Sequence, residues 1–313
     1  MKKAIKHLMV LSLLIQFSCN KDFNDIVPPF TIDPPLEITT DDDGNTILID
    51  EEGNMYYSGG DCERGSPDYG VSGDVIMGLE IPEEMPVSYD LSEFLPPVRS
   101  QGAQGSCSAW AVTYYMKALQ ENLQDVDGEI TILSPAYTYN QITMGDCTGT
   151  AVTDHLDILL NQGAPIWESF PYTAAECATQ PSEDIIALAE ENKISEFKGL
   201  SGDNMVNEIK ALLLDDKPII ISTTLSNEFG AIDLFGVAAY RDHVVNYEET
   251  GCHAMLLVGY DDDLNAFNVV NSWGISWGNN GFVWIDYQAF ENVVDEAANF
   301  RVINGAYVAY DLD

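Results

Sequence analysis

Basic residues are scarce in this chain: 13 Lys and Arg stand against 51 Asp and Glu over 313 residues, a formal charge of −38. A field of that sign repels phosphate backbones and anionic lipid headgroups, so nucleic acid is excluded as an expected partner. Histidine is rarer still, with four in all. No Cys and His residues fall at zinc spacing, and no glycine-rich phosphate loop is present, so neither a metal nor a cofactor is expected. Beyond the first twenty residues no apolar run is long enough to span a bilayer as a helix, and no internal repeat is visible. What is abundant is core material. Apolar residues make up 46% and aromatics 10%, enough to bury a substantial globular interior.

The first residues read as a targeting segment. Met1-Lys2-Lys3 and Lys6 give a positive start, and Leu8 to Phe17 is apolar but too short to span a bilayer. Cys19 directly after Ser18 resembles the lipobox of bacterial lipoproteins, in which the cysteine is lipidated and becomes the first mature residue. Asn20-Lys21-Asp22 resembles the acidic signal that sends some of those proteins to the cell surface. The expected organisation is a signal peptide over 1–18, an acidic tether or pro-segment over 19–85, and one large domain over 86–313. The expected location is outside the cytoplasm of a Gram-negative bacterium, lipid-anchored at the outer membrane or cell surface or held in the periplasm. The lipid would be the only link to a membrane, and the protein is expected to be a monomer. With Cys19 set aside, Cys62, Cys107, Cys147, Cys177 and Cys252 remain. Export favours disulfides, and an odd count leaves one thiol unpaired or joined to another chain.

Between residues 20 and 90, acids outnumber bases eighteen to two. Pro28-Pro29, Pro34-Pro35 and Asp41-Asp42-Asp43-Gly44 favour extended or turning chain. Ile47–Asp50 and Met55–Tyr57, separated by a Glu-Glu-Gly-Asn turn, predict a hairpin too small to stand alone, which should dock on the main domain. Helices are predicted over 107–122, from Pro135 with Ser134 as cap, over Val152–Asn161 up to Gly163, and over Asp203–Leu214 as the last. Strands are predicted at Pro218–Thr224, Ala254–Tyr260, Ala266–Asn271 and Gly281–Asp286. Helices first and strands afterwards describe an α+β protein.

Three distant segments carry chemistry. Gln101-Gly102-Ala103-Gln104-Gly105-Ser106-Cys107-Ser108-Ala109-Trp110 places a thiol where a glycine-rich loop turns into a helix, whose N-terminus favours a thiolate. His253, in Gly251-Cys252-His253-Ala254, can take the thiol proton and return it to a leaving amine. Asn271, in Asn268-Val269-Val270-Asn271-Ser272-Trp273-Gly274, offers a side-chain carbonyl to orient the imidazole without adding charge. The backbone N–H of Cys107 and the amide of Gln101 could receive a developing oxyanion.

These segments resemble the papain family of cysteine peptidases. Gln101–Trp110 is similar to its cysteine signature, His253-Ala254 with Val258-Gly259-Tyr260 to its histidine strand, and Asn271-Ser272-Trp273-Gly274 with Trp277-Gly278 to its asparagine motif. His253 lies 146 positions past Cys107, within the family's spacing of roughly 130–150. The resemblance implies a papain-like two-lobed α+β fold, with Cys107 on a helical lobe, His253 and Asn271 on a β-barrel-like lobe, and the cleft between them. It implies peptide or protein substrates and a Cys107–His253–Asn271 acyl-transfer cycle, with Gln101 at the oxyanion and Trp273 shielding the Asn–His contact. Gly149 and Thr150 would line the non-primed cleft by backbone hydrogen bonds, and Gly251 would leave a roomy second subsite. The chain departs from the family at Gln104, where a cysteine is usual, and at Ser108, where tryptophan is usual. Without a cysteine at 104, Cys147 is expected to pair with Cys177, and Trp110 to compensate in part for the bulk missing at 108. The family's long helical propeptide is absent. Two other activities stay open: a papain-fold surface protein that binds without turnover, and a transamidase or amidase acting on peptide crosslinks. A bridge from Cys62 to Cys252 or to Cys107 would make residues 20–85 a latch over the cleft. His7, His155 and His243 have no motif and are expected to be structural or exposed, and Trp277 to be core.

Overall fold

The computed structural model describes residues 36–42, 44–59, 75–76, 78–125, 128–200, 204–225, 229, 251–291, 293–295 and 300–312. The signal segment, Cys19, Cys62, His7 and His243 lie outside the described residues.

A three-stranded antiparallel sheet opens the described chain: β1 (Glu37–Thr40), β2 (Thr46–Ile49) and β3 (Met55–Ser58). The predicted hairpin is β2–β3, with Ile47 opposite Tyr57 and Leu48 opposite Tyr56. β1 was not foreseen, because Glu37–Thr40 has one apolar residue and no alternation to reveal it. Aspartate side chains close both turns: Asp41 accepts the Asn45 N–H at 2.8 Å and Asp50 accepts the Asn54 N–H at 2.8 Å.

The helical region centres on one continuous helix, 107–124, whose middle (Trp110–Lys117) is wound as a π-helix. Trp110, Tyr114 and Leu119 are fully buried, and so is nearly every other position as far as Asn122. A helix buried on nearly every side lies inside the fold, and this one forms the floor between helices and sheet. Its buried Lys117 is neutralised by Glu121 and Asp311. Helices Pro135–Thr143 and Val152–Asn161 pack against it. Pro135 begins its helix as predicted, but the Ser134 hydroxyl caps nothing: the residue is fixed through its N–H to the Pro165 carbonyl at 3.0 Å. Val152–Asn161 ends at Gly163, whose φ of +81° and contact with the Ala189 carbonyl leave no room for a side chain.

The larger sheet has seven strands, six of them from the later part of the chain. Its strands are β4 (Ser88–Asp90), β5 (Ile194–Gly199), β6 (Ile219–Leu225), β7 (Gly251–Asp261), β8 (Ala266–Val270), β9 (Phe282–Asp286) and β12 (Ile303–Asp311). The order is β5-β12-β6-β7-β8-β9, with β4 also pairing β7, and all of these pairings are antiparallel. β10 (Val293–Asp295) and β11 (Phe300–Arg301) form a separate ribbon. Central β7 is buried along Ala254–Tyr260, as its unbroken apolar run requires. Met205–Leu214 is helical but is not the last helix, since Gln288–Glu291 follows. The unforeseen β5, with Ser, Glu and Lys among its six residues, is an edge strand made by pairing that overrides weak propensity; β12 was not foreseen either, although its Ile, Val and two Tyr favour a strand. Helices and antiparallel sheet make this the expected α+β fold. Among the described residues no helix is long and apolar enough to cross a membrane, and no group of three or more His, Cys, Asp or Glu could hold a metal ion.

Candidate active site

Two connections bring the first and third segments together. The Gln101 N–H donates to the Ser272 carbonyl at 2.8 Å, and Ser100 bridges Trp273, tying the loop before Cys107 to the turn after Asn271. His253 sits near the start of β7, opposite Thr223 of β6, and Asn271 follows β8 directly. Cys107, His253, Asn271 and Gln101 all have 0% exposure.

His253 Nε2 donates to Asn271 Oδ1 at 2.7 Å, and the same oxygen accepts the Ser272 N–H at 2.7 Å. An amide oxygen can only accept, so the neutral ring carries its proton on Nε2 and leaves Nδ1 bare. Nδ1 has no hydrogen-bond partner among the described residues. The indole of Trp273 covers the pair, its ring centroid 4.7 Å from the imidazole. Burial lowers the His253 pKa to about 4, against the opposing pull of Asn271.

The Cys107 thiol does not hydrogen-bond to the imidazole. It accepts the Ala254 N–H at 3.4 Å and a second backbone N–H from Gly59. Burial pushes its pKa up, with these two N–H groups and the Ser108 hydroxyl and N–H pulling the other way. Gln101 is held by its carbonyl, which accepts the Ser272 hydroxyl at 2.5 Å, while its amide donates to the Gln104 carbonyl at 2.8 Å. One amide hydrogen stays unassigned, the one an oxyanion would use.

The reason for the burial is the chain's own β3 and the glycine after it. Trp273 Nε1 donates to the Tyr57 carbonyl at 2.8 Å, and the Thr150 N–H donates to the Gly59 carbonyl at 2.9 Å. Tyr56 packs on Trp273 with centroids 5.2 Å apart. Gly59 lies so close to Gly105 and Gly149 that a Cβ on it would fall 2.2 Å from Gly105 Cα. The hairpin therefore docks, as its small size required, and it does so across the cleft. The space over Gly251, foreseen as a roomy subsite, is taken by Ser58 and Thr46: a Cβ there would lie 2.7 Å from each side chain.

The remaining expectations divide. Cys147 is joined to Cys177, and Gln104 fills the place of the missing cysteine by donating to the Thr173 carbonyl at 3.2 Å. Cys107 is free, so a Cys62–Cys107 bridge is ruled out. Cys252 is disulfide-bonded, and its partner lies outside the described residues. Trp277 is core. Trp110 packs into an aromatic cluster with Tyr114, Trp167 and Tyr172, whereas Ser108 turns its hydroxyl to the Thr150 carbonyl at 2.7 Å. His155 is fully buried behind that same residue. No motif marked His155, and only Ser108 standing in place of tryptophan hinted that something else supports the wall.

Residues 83–300 match the family model described as papain family cysteine protease. Chicken cathepsin K is 26% identical over 61% of the chain and 55% of its own length. Cysteine proteinase 3 of Dictyostelium discoideum is 26% identical over 64% and 58%. The chain thus spans little more than half the length of these curated relatives. Among solved structures, xylellain, a cysteine protease from Xylella fastidiosa, superposes with a TM-score of 0.60 at 21% identity, over 80% of this chain and 98% of that one. The digestive procathepsin L2 proteinase of Tenebrio molitor larval midgut gives 0.60 at 21% identity, over 82% and 78%. They share the papain-like two-lobed fold. With a family model matching well over half of its length, the chain belongs to the papain family of cysteine proteases.

Proposed function

We propose that this protein is a cysteine peptidase held in a latent state, with its own residues 55–59 lying in the substrate cleft. The observation that carries the reading is the His253–Asn271 hydrogen bond of 2.7 Å, which leaves a bare Nδ1 in the pocket that holds the one free thiol among the described residues. In the open enzyme Nδ1 takes the Cys107 proton, and the thiolate attacks the peptide carbonyl. The Cys107 N–H and the spare Gln101 amide hydrogen receive the oxyanion. His253 then protonates the leaving amine, and water hydrolyses the thioester.

The strap explains why the pair is neutral. Burial favours the uncharged forms, a thiol and an imidazole. Uncovering the cleft returns water and moves both toward the thiolate–imidazolium pair. Direction matters too. With its acyl half along Gly149–Thr150, a substrate runs from Thr150 toward Trp273; the strap runs the other way, with Tyr57 at Trp273 and Gly59 at Thr150. Residues 19–85 thus act as a pro-segment.

The Cys147–Cys177 disulfide supports export to an oxidising compartment. Cys19 is the proposed lipid anchor, placing the enzyme at the outer membrane, cell surface or periplasm of a Gram-negative cell, as a monomer acting on peptides or proteins. The test opens the cleft with Gly59→Ala. The open chain should cleave a fluorogenic peptide reporter, and adding Cys107→Ala should abolish cleavage. An open chain without hydrolysis, or one that keeps it after loss of the sulfur, overturns the reading.

A further inference from the structure

Thr150 is the residue whose N–H reaches into the cleft, and its support is a buried polar chain. Its hydroxyl lies 2.8 Å from His155 Nε2, His155 Nδ1 lies 2.9 Å from Thr138 Oγ1, and Thr138 Oγ1 lies 2.9 Å from Thr113 Oγ1. Thr113, Thr138 and His155 have no exposure. One proton assignment satisfies every member. Thr138 donates to the Pro135 carbonyl at 3.3 Å, accepts from Thr113 and from His155 Nδ1, and leaves Nε2 to accept the Thr150 hydroxyl. Burial lowers the His155 pKa to about 3, so the ring stays neutral and keeps this pattern. On the other side, the Thr150 carbonyl accepts the Ser108 hydroxyl at 2.7 Å. Side chain and carbonyl are each anchored, and only the N–H faces the cleft, where it meets the Gly59 carbonyl at 2.9 Å.

We infer that Ser108 and His155 are positioning residues for the cleft wall, holding Thr150 so that its N–H meets the backbone carbonyl of an extended peptide lying over Cys107. The role rests on the peptidase reading. Ser108 stands where the family carries tryptophan, so a hydrogen bond from the residue after the nucleophile replaces an indole's bulk. A displaced Thr150 weakens binding of an extended peptide, which uses the N–H, but spares a small alkylating agent, which does not.

The experiment compares three variants in the full chain opened by Gly59→Ala. Thr150→Val keeps the shape and removes the hydroxyl; Ser108→Ala removes the other anchor; Thr150→Ser restores the hydroxyl. For a peptide reporter, KM should rise about fivefold in the first two, roughly one neutral hydrogen bond, with kcat within twofold. Alkylation of Cys107 by iodoacetamide should be unchanged in Thr150→Val, and Thr150→Ser should recover the wild-type KM. A second measurement does not depend on activity. In the otherwise unaltered chain, Thr150→Val should speed hydrogen exchange at the residue-150 amide about fivefold, with amides of 107–124 unmoved. An unchanged KM with an unchanged residue-150 amide overturns the inference, as does loosening spread equally over 107–124. If the opened chain neither cleaves nor alkylates, the peptidase reading fails while the exchange result still decides the wall.

Discussion

Gly59→Ala is the smallest change that should separate strap from enzyme. The strap is held over the site by three hydrogen bonds: Gly59 N–H to Cys107, Thr150 N–H to Gly59, and Trp273 Nε1 to Tyr57. At about 1 kcal/mol each these supply about 3 kcal/mol. The Tyr56–Trp273 contact adds about 1 kcal/mol. The total corresponds to roughly a thousandfold preference for the closed form. A methyl group at 59 would sit 2.2 Å from Gly105 Cα and 2.6 Å from its carbonyl. Those are backbone atoms, which cannot swing aside, so most of the preference should vanish. The assay is the rate of Cys107 carbamidomethylation by iodoacetamide, read by peptide mass spectrometry at neutral pH. Wild-type chain should react at the rate set by its rare open state, and Gly59→Ala about a hundred to a thousand times faster. A variant rate within twofold of wild type would refute the account, because the strap would then not be what hides the sulfur.

Two further outcomes follow from the same contacts. Cys252 is disulfide-bonded, and Cys62, three positions past Gly59, is its proposed partner; the next contact among the described residues is at Val75, sixteen positions past Gly59, which bridges Gly199. Effective concentration falls about as the −3/2 power of tether length, so Cys252→Ser should speed Cys107 alkylation roughly tenfold, and non-reducing peptide mapping that joins Cys252 to another cysteine would end the idea. His155 and His253 have pKa values lowered to about 3 and about 4 by burial; below the ordinary 6.5 the unfolded chain binds protons that the folded chain refuses. Stability should therefore decline as pH falls from about 6.5 to 4, by roughly 1.4 kcal/mol per pH unit per histidine. A urea midpoint that stays flat from pH 6.5 to 5 would contradict this.

The groups that meet in the candidate site were legible in the sequence because each sits in a contiguous motif with its own local cause. A glycine-rich loop opens into a helix at Cys107, an apolar strand carries His253, and a strand end delivers Asn271. The disulfide was legible by contrast, from the cysteine missing at 104. What escaped notice depends on contacts between distant segments. Residues 55–59 look like half of an ordinary hairpin; nothing in Met-Tyr-Tyr-Ser-Gly says that its backbone will lie against Trp273 and Thr150. His155 sits on a helical face where a core residue would do, and its significance arises only when Thr138 and Thr150 close around it. β5 was missed because pairing, not composition, makes it a strand.

In the latent state proposed above, an occupant carried within the same polypeptide would impose a silence that dilution does not break. A separate inhibitor would dissociate as the two partners spread apart; a covalently attached one competes at a fixed local level, commonly in the millimolar range for short links. On that reading exogenous peptides would have to outcompete that level wherever the molecule travels, so activation would rest with whatever severs or unseats the N-terminal segment rather than with the supply of substrate.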